Sequence, residues 1–228
     1  MMWLLWTMAW AGPGLSCEEA ERVRVQCTTT KGATLALCQT DAGWSYRYGT
    51  KAVELAHDGA FWTSRIQRGP DGEVRTVGFE REGHTYAVVV ARTEDQFDVR
   101  IDVAKGGKRL ASLPCAELKG ADLTEIALPA PPAERWVGTW SGPTGTLVVS
   151  AAGDRWTVKG DASWYGGPDR VHTGEVDGPL KADGDGLLYD KDGCTMRLGL
   201  DGAALWVTDN LRCGGLNVTF EGSYERKD

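Results

Sequence analysis

Six cysteines, three histidines and several closely spaced aspartates are the residues of this chain whose types and spacing could do chemistry. The cysteines stand at positions 17, 27, 38, 115, 194 and 213. None forms C-x-x-C and no histidine lies at zinc-finger spacing, so structural zinc is not expected. An even number of cysteines behind an apolar N-terminus reads as disulfides. Cys194 and Cys213 pair if the second half folds by itself. Cys17, Cys27, Cys38 and Cys115 allow three pairings, of which Cys38–Cys115 with Cys17–Cys27 is favoured. Once oxidised, none is a nucleophile. Asp183-Gly184-Asp185-Gly186 and Asp190-Lys191-Asp192-Gly193 have the look of calcium loops. The fifth loop position is Leu187 in one frame and Cys194 in the other, so neither has the oxygen ligands needed. Both read as Asp-Gly turns. His57, His84 and His172 each stand beside a turn or strand start, and no serine sits in a G-x-S-x-G elbow. No catalytic residue, metal or cofactor is therefore assigned.

The aromatic residues are the stronger lead. Trp136, Trp140, Trp156, Trp164, Tyr165, Trp206 and Tyr224 all fall in the second half. Most suit the filled interior of a small barrel. Trp164-Tyr165-Gly166-Gly167-Pro168 differs, because an adjacent aromatic pair in a turn-rich loop is not demanded by core packing. Aromatic side chains held on a loop are typical of binding sites. Asp209 and Asn210 precede Cys213-Gly214-Gly215 and have two readings. They join Trp164 and Tyr165 in a contact surface, or they bond their own backbone to shape a turn. In the first half, Trp44, Tyr46 and Tyr48 share one strand face, with Arg47 solvated on the other. Asn217-Val218-Thr219 matches the glycosylation sequon but falls within an expected strand.

The elements that must position these residues are β-strands throughout. Phe97–Val103 alternates apolar and charged residues strictly, which predicts one core face and one wet face. Asp-Gly, Glu-Gly and Gly-Gly pairs punctuate the chain at hairpin spacing. Leu216–Tyr224 is the cleanest alternating stretch of the second half. Leu118–Glu134 carries Ala-Leu-Pro-Ala-Pro-Pro, which cannot join a sheet ladder and reads as a linker of limited flexibility. The fold class expected is all-β, with two small antiparallel domains. Residues 17–118 form a sandwich or barrel-like domain, 119–134 the linker, and 135–228 an up-and-down barrel.

Residues 1–16 are uncharged and mostly apolar, and end in Gly-Pro-Gly-Leu-Ser. They read as a signal peptide with an Ala9-Trp10-Ala11 cleavage pattern, although the usual N-terminal Lys or Arg is missing. A buried strand is the alternative. Gly14-Leu15-Ser16-Cys17 partly resembles a lipobox, which would make Cys17 a lipid anchor and the chain's one link to a membrane. A net charge of -7 without a basic stripe argues against nucleic-acid partners.

Three resemblances follow. Gly138-Thr139-Trp140 with the turn and strand behind it resembles the opening of avidin-like and lipocalin-like small barrels. Leu205–Asn210 through Cys213-Gly214-Gly215 and Phe220-Glu221-Gly222-Ser223-Tyr224 is similar to the C-terminal signature of uncharacterised secreted bacterial proteins. Leu35–Cys38, Tyr46–Gly49 and Leu113–Cys115 resemble another uncharacterised exported bacterial domain. The last two resemblances imply a bacterial envelope setting, periplasmic, secreted or anchored to the outer membrane, and no known activity. The function expected is non-enzymatic binding of an unknown protein or small molecule. The alternatives are an inhibitor or immunity-like protein against a secreted enzyme, and a hydrolase with a site assembled from scattered Asp, Glu and His.

Overall fold

The computed structural model describes residues 14–68, 72–93, 96–167 and 170–227. The expected signal segment falls mostly outside these, as does Pro168. The chain is all-β, as its alternation and turn residues require. Strands β1 (Arg22–Thr29), β2 (Thr34–Thr40), β3 (Gly43–Gly49), β4 (Leu55–His57), β5 (Trp62–Arg68), β6 (Gly72–Arg81), β7 (His84–Arg92), β8 (Phe97–Lys105) and β9 (Lys108–Ala121) form one antiparallel sheet. Its order is β4-β3-β2-β1-β9-β8-β7-β6-β5, so the first and last strands meet in the middle. The sheet curls around a core of Val25, Leu35, Leu37, Tyr46, Phe61, Phe79, Val88 and Ile101. Tyr46, Phe61 and His57 all pack on Phe79, with centroids 4.9, 5.4 and 4.2 Å away.

The expected linker lies against this core. Lys119–Ala121 belong to β9, Leu123 is buried, and Ile126 and Leu128 pack beside it. Thr63 N–H donates to the Pro129 carbonyl at 2.9 Å. A short helix α1 (Ala133–Trp136) then leads into the second sheet.

Strands β10 (Gly138–Ser141), β11 (Gly145–Ala152), β12 (Arg155–Gly167), β13 (Arg170–Asp183), β14 (Gly186–Lys191), β15 (Cys194–Asp201), β16 (Ala204–Asp209) and β17 (Gly222–Lys227) close into an up-and-down barrel. Inward residues alternate with outward ones. Trp140, Leu147, Met196, Leu198, Leu205, Phe220 and Tyr224 fill the interior. Leu216–Glu221 are not part of a strand, contrary to the alternation. Asn217 takes φ 65°, and the Phe220 N–H bonds the Asp209 carboxylate instead of a ladder carbonyl.

Three disulfides are present, at Cys17–Cys38, Cys27–Cys115 and Cys194–Cys213. The third is the pair expected, and the first two correct the favoured arrangement. β1 lies between β2 and β9, which sets the two outer backbones about 9.5 Å apart, whereas bridged Cα atoms stay within about 7 Å. Leu35 and Leu37 also face the core, which turns Cys38 to the opposite face from Cys27 and Cys115. On that outer face the segment before β1 covers β2 and β3. Arg47 is buried there, not solvated, donating to both Glu21 oxygens and the Ser16 carbonyl at 2.7 Å each. The Cys17 sulphur is bonded to Cys38, and one sulphur cannot carry both a disulfide and a lipid thioether.

The charged face of Phe97–Val103 is wet only at its start, where Asp98 is exposed, and Arg100 is half-buried. Asp102 is 1% exposed, because the barrel packs on the outer face of β5–β8. The β15–β16 turn is the wedge. Ser64 Oγ accepts the Leu200 N–H at 2.9 Å, and Thr76 Oγ1 donates to the Leu200 carbonyl at 3.2 Å. Arg68 and Arg100 both bond Asp201, one to each carboxylate oxygen. Gly199 lies flat on Ile66, where an added Cβ would come within 2.4 Å. Arg135 reaches the Gly202 carbonyl at 3.0 Å.

Candidate functional site

The barrel's other end carries Trp164, Tyr165, Asp209 and Asn210. It is built from the tip of the β12–β13 hairpin, the β14–β15 turn and the long β16–β17 connection. Trp164 and Tyr165 are not on a loop, because β12 continues to Gly167 and pairs Trp164 with His172 and Tyr165 with Val171. Alternation from buried Val158 and Ala162 turns Trp164 inward, half-buried over the barrel mouth. Its ring covers Gly166, where a Cβ would sit 2.2 Å away, and lies 5.1 Å from the His172 ring. Tyr165 points the other way and is 73% exposed, beside half-exposed Val171.

Asp209, half-buried, and Asn210, exposed, both bond within the connection. Asp209 Oδ1 accepts the Leu211 N–H at 2.7 Å. Its Oδ2 accepts from Thr219 Oγ1 at 2.8 Å and from the Phe220 N–H at 2.6 Å. Asn210 Oδ1 accepts the N–H groups of Thr195 and Arg212, and its Nδ2 donates to the Gly193 carbonyl. This is the turn-shaping role that Asx side chains take. Cys194–Cys213 ties the same segment to β15. Further along, Gly214 presses on Gly174, where a Cβ would meet its Cα at 2.5 Å. His172 Nδ1 donates to the Leu216 carbonyl.

This clamping displays two residues that sequence patterning missed. Leu211 is held at φ 60°, a region leucine avoids, and is 72% exposed. Leu216 is 73% exposed. Tyr165, Leu211 and Leu216 are the three most exposed large apolar side chains among the described residues. Leu216 reads as a strand residue in the sequence, and Leu211 carries no periodic signal. Only the Asx pair ahead of Cys-Gly-Gly marks the segment as a fixed turn. Burial raises the pKa of Tyr224 beneath this surface, with Asp209 adding to the rise. Tyr224 Oη donates to the Phe220 carbonyl at 2.9 Å.

The other candidate groups do not converge. His57 Nε2 contacts the Ala60 carbonyl and its ring stacks on Phe79. His84 Nδ1 contacts the Glu82 carbonyl. Among the described residues the one metal-compatible grouping is Cys17, Glu21 and Cys38, whose two sulphurs are joined. Asp183 pairs with Arg197, and burial raises the pKa of Asp185 at the turn between them and the first sheet.

No protein-family model matches the sequence, and neither does any curated protein or solved structure.

Proposed function

We propose that this is a non-enzymatic binding protein that engages another protein through the free end of its barrel. The supporting observation is that Tyr165, Leu211 and Leu216 are the most exposed large apolar side chains among the described residues, the first on the β12–β13 hairpin and the other two on a connection fixed by a disulfide and by Asx bonds. Isolated exposed apolar residues are ordinary, but three on the connections of one barrel end resemble an interface. Holding Leu211 in a left-handed conformation costs about 1 kcal/mol, which suits a segment shaped for contact and not for its own stability. Preorganisation of this kind lowers the entropy lost on association. The barrel interior is filled by side chains, which favours surface recognition over a lipocalin-like ligand cavity.

Three disulfides fit a periplasmic or extracellular protein. In that setting, a cross-linked end with exposed apolar side chains suits contact with a secreted enzyme, so an inhibitor or immunity-like role is the form of binding favoured. The test is capture from an envelope extract with the mature chain and with a Tyr165→Ser, Leu211→Ser, Leu216→Ser triple variant. The variant should lose the captured protein while its unfolding midpoint stays within a few degrees. Unchanged capture would remove this end from the interaction.

A further inference from the structure

Six buried side-chain nitrogens among the described residues have no acceptor: Trp62 Nε1, Arg68 Nε, Arg109 Nε, Arg135 Nε, Trp206 Nε1 and Arg226 Nε. Every one is a donor. All six belong to the seam between the two sheets. Arg68 pairs with Asp201, Arg109 lies 3.5 Å from Glu225, and Arg135 bonds Gly202. Trp206 packs into the Trp62 cluster, and Arg226 presses on Gly107. Interiors leave few such groups without a partner in the protein, and here they share one seam.

Three of these residues line two neighbouring cavities. The first, about 310 Å³, lies among Arg135, Arg226, Thr85 and the turn glycines Gly83, Gly106 and Gly107. The second, about 360 Å³, is walled by Phe61, Trp62, Pro129 and Ala130. Glu80 and Pro132 line both. The Arg135 guanidinium carbon lies 5.6 Å from the Trp62 ring centroid, so the cationic and apolar parts adjoin.

Arg135 is 4% exposed and only partly compensated. It donates to Thr85 at 3.1 Å and to Gly202 at 3.0 Å. Glu80 stops 3.8 Å from its Nε, beyond hydrogen-bond range, and both Glu80 oxygens accept the Thr85 hydroxyl. Burial lowers the Arg135 pKa, Glu80 opposes the shift, and Arg226 reinforces it. Arg226 spends one terminal nitrogen on the carbonyls of Glu134, Arg135 and Val137.

We propose that this seam binds a small organic monocarboxylate, its carboxylate on Arg135 and Arg226 and its apolar body against Phe61, Trp62, Pro129 and Ala130. Guanidinium forks match carboxylates, and cavities of this size at domain interfaces are typical ligand sites. Glu80 and Glu134 offset both guanidiniums of this lining, so the wall carries no surplus positive charge and disfavours a dianionic phosphate. The site lies at the docked end of the barrel and is independent of the protein-binding surface.

Octanoate, octan-1-ol, octylammonium and inorganic phosphate are the probes, titrated into the full chain. The Trp62 indole N–H resonance, assigned with Trp62→Phe, provides the readout. Octanoate should shift that resonance saturably, and octanol should bind at least tenfold more weakly. Octylammonium and phosphate should leave it unmoved. Ala130→Trp, at an exposed wall position, should weaken octanoate at least tenfold without altering the fold. A resonance that ignores millimolar octanoate overturns the proposal. So does octylammonium or phosphate binding as tightly, or octanoate binding that Ala130→Trp leaves unchanged.

Discussion

The two ends of the second barrel are made of the same hairpins and behave oppositely. At one end the β15–β16 turn is wedged into the first sheet, with its backbone groups taken by Ser64 and Thr76 and its aspartate by two arginines. At the other, the β12–β13 tip and the β16–β17 connection project, and leucine and tyrosine side chains face outward. Polar and charged groups are buried at the docked end while apolar groups are exposed at the free one. The docked end therefore fixes the relative position of the two sheets. The free end is held by its internal bonds, and its three exposed apolar side chains stay uncovered among the described residues.

The largest effect should come from cutting the docked end. Asp201→Ala would leave Arg68 and Arg100 facing each other in the seam. Removing one partner of a buried ion pair costs about 3–5 kcal/mol, to be read by denaturant unfolding. A loss under about 1 kcal/mol would mean that the seam charges are solvated and the two sheets loosely joined. Next is the free-end disulfide. Cys194→Ser with Cys213→Ser opens a loop with a sequence separation of 19, worth about 3 kcal/mol in the chain-entropy model. Partner capture should fall with it, because the connection loses its fixed shape.

Trp164→Ala separates roof from contact. The ring is half-buried on the core, so about 2 kcal/mol should be lost, below the usual cost of truncating a fully buried aromatic. A neutral result would return Trp164 to the contact surface. The smallest effect is the most discriminating. Leu211→Gly should stabilise the fold by about 0.5 kcal/mol by relieving its left-handed backbone, while weakening capture of the partner. A destabilised variant would mean that Leu211 serves the fold and not a partner.

Much of this fold was legible in the sequence. Strict alternation, turn glycines and the Cys194–Cys213 spacing are local properties, and β8, β15 and the barrel's hairpins follow from them. What was not legible depends on what lies against a face. The charges of Phe97–Val103 look solvated until a second sheet covers Asp102. The Ala87–Ala91 run is apolar on both faces because Val88 and Val90 enter one core while Ala87 and Val89 enter another. Cys38 could not be matched without knowing that β1 separates β2 from β9. Leu216–Tyr224 alternates like a strand, yet the Asp209 carboxylate takes the Phe220 amide and the Thr219 hydroxyl and bends it into the connection. The candidate site was half visible. The sequence marked Trp164, Tyr165, Asp209 and Asn210, but the structure gives Trp164 and the two Asx residues supporting roles and brings Leu211 and Leu216 forward.

The measurement that bears most directly on the contrast between the two ends is site-specific photo-crosslinking in an envelope extract. A benzophenone side chain would be placed at Leu216 on the free end, or at Leu110, which is 56% exposed on β9 of the first sheet. A single discrete adduct should form from position 216 and not from position 110. Equal adducts from both positions, or an adduct from 110 alone, would contradict the assignment of binding to the barrel's free end.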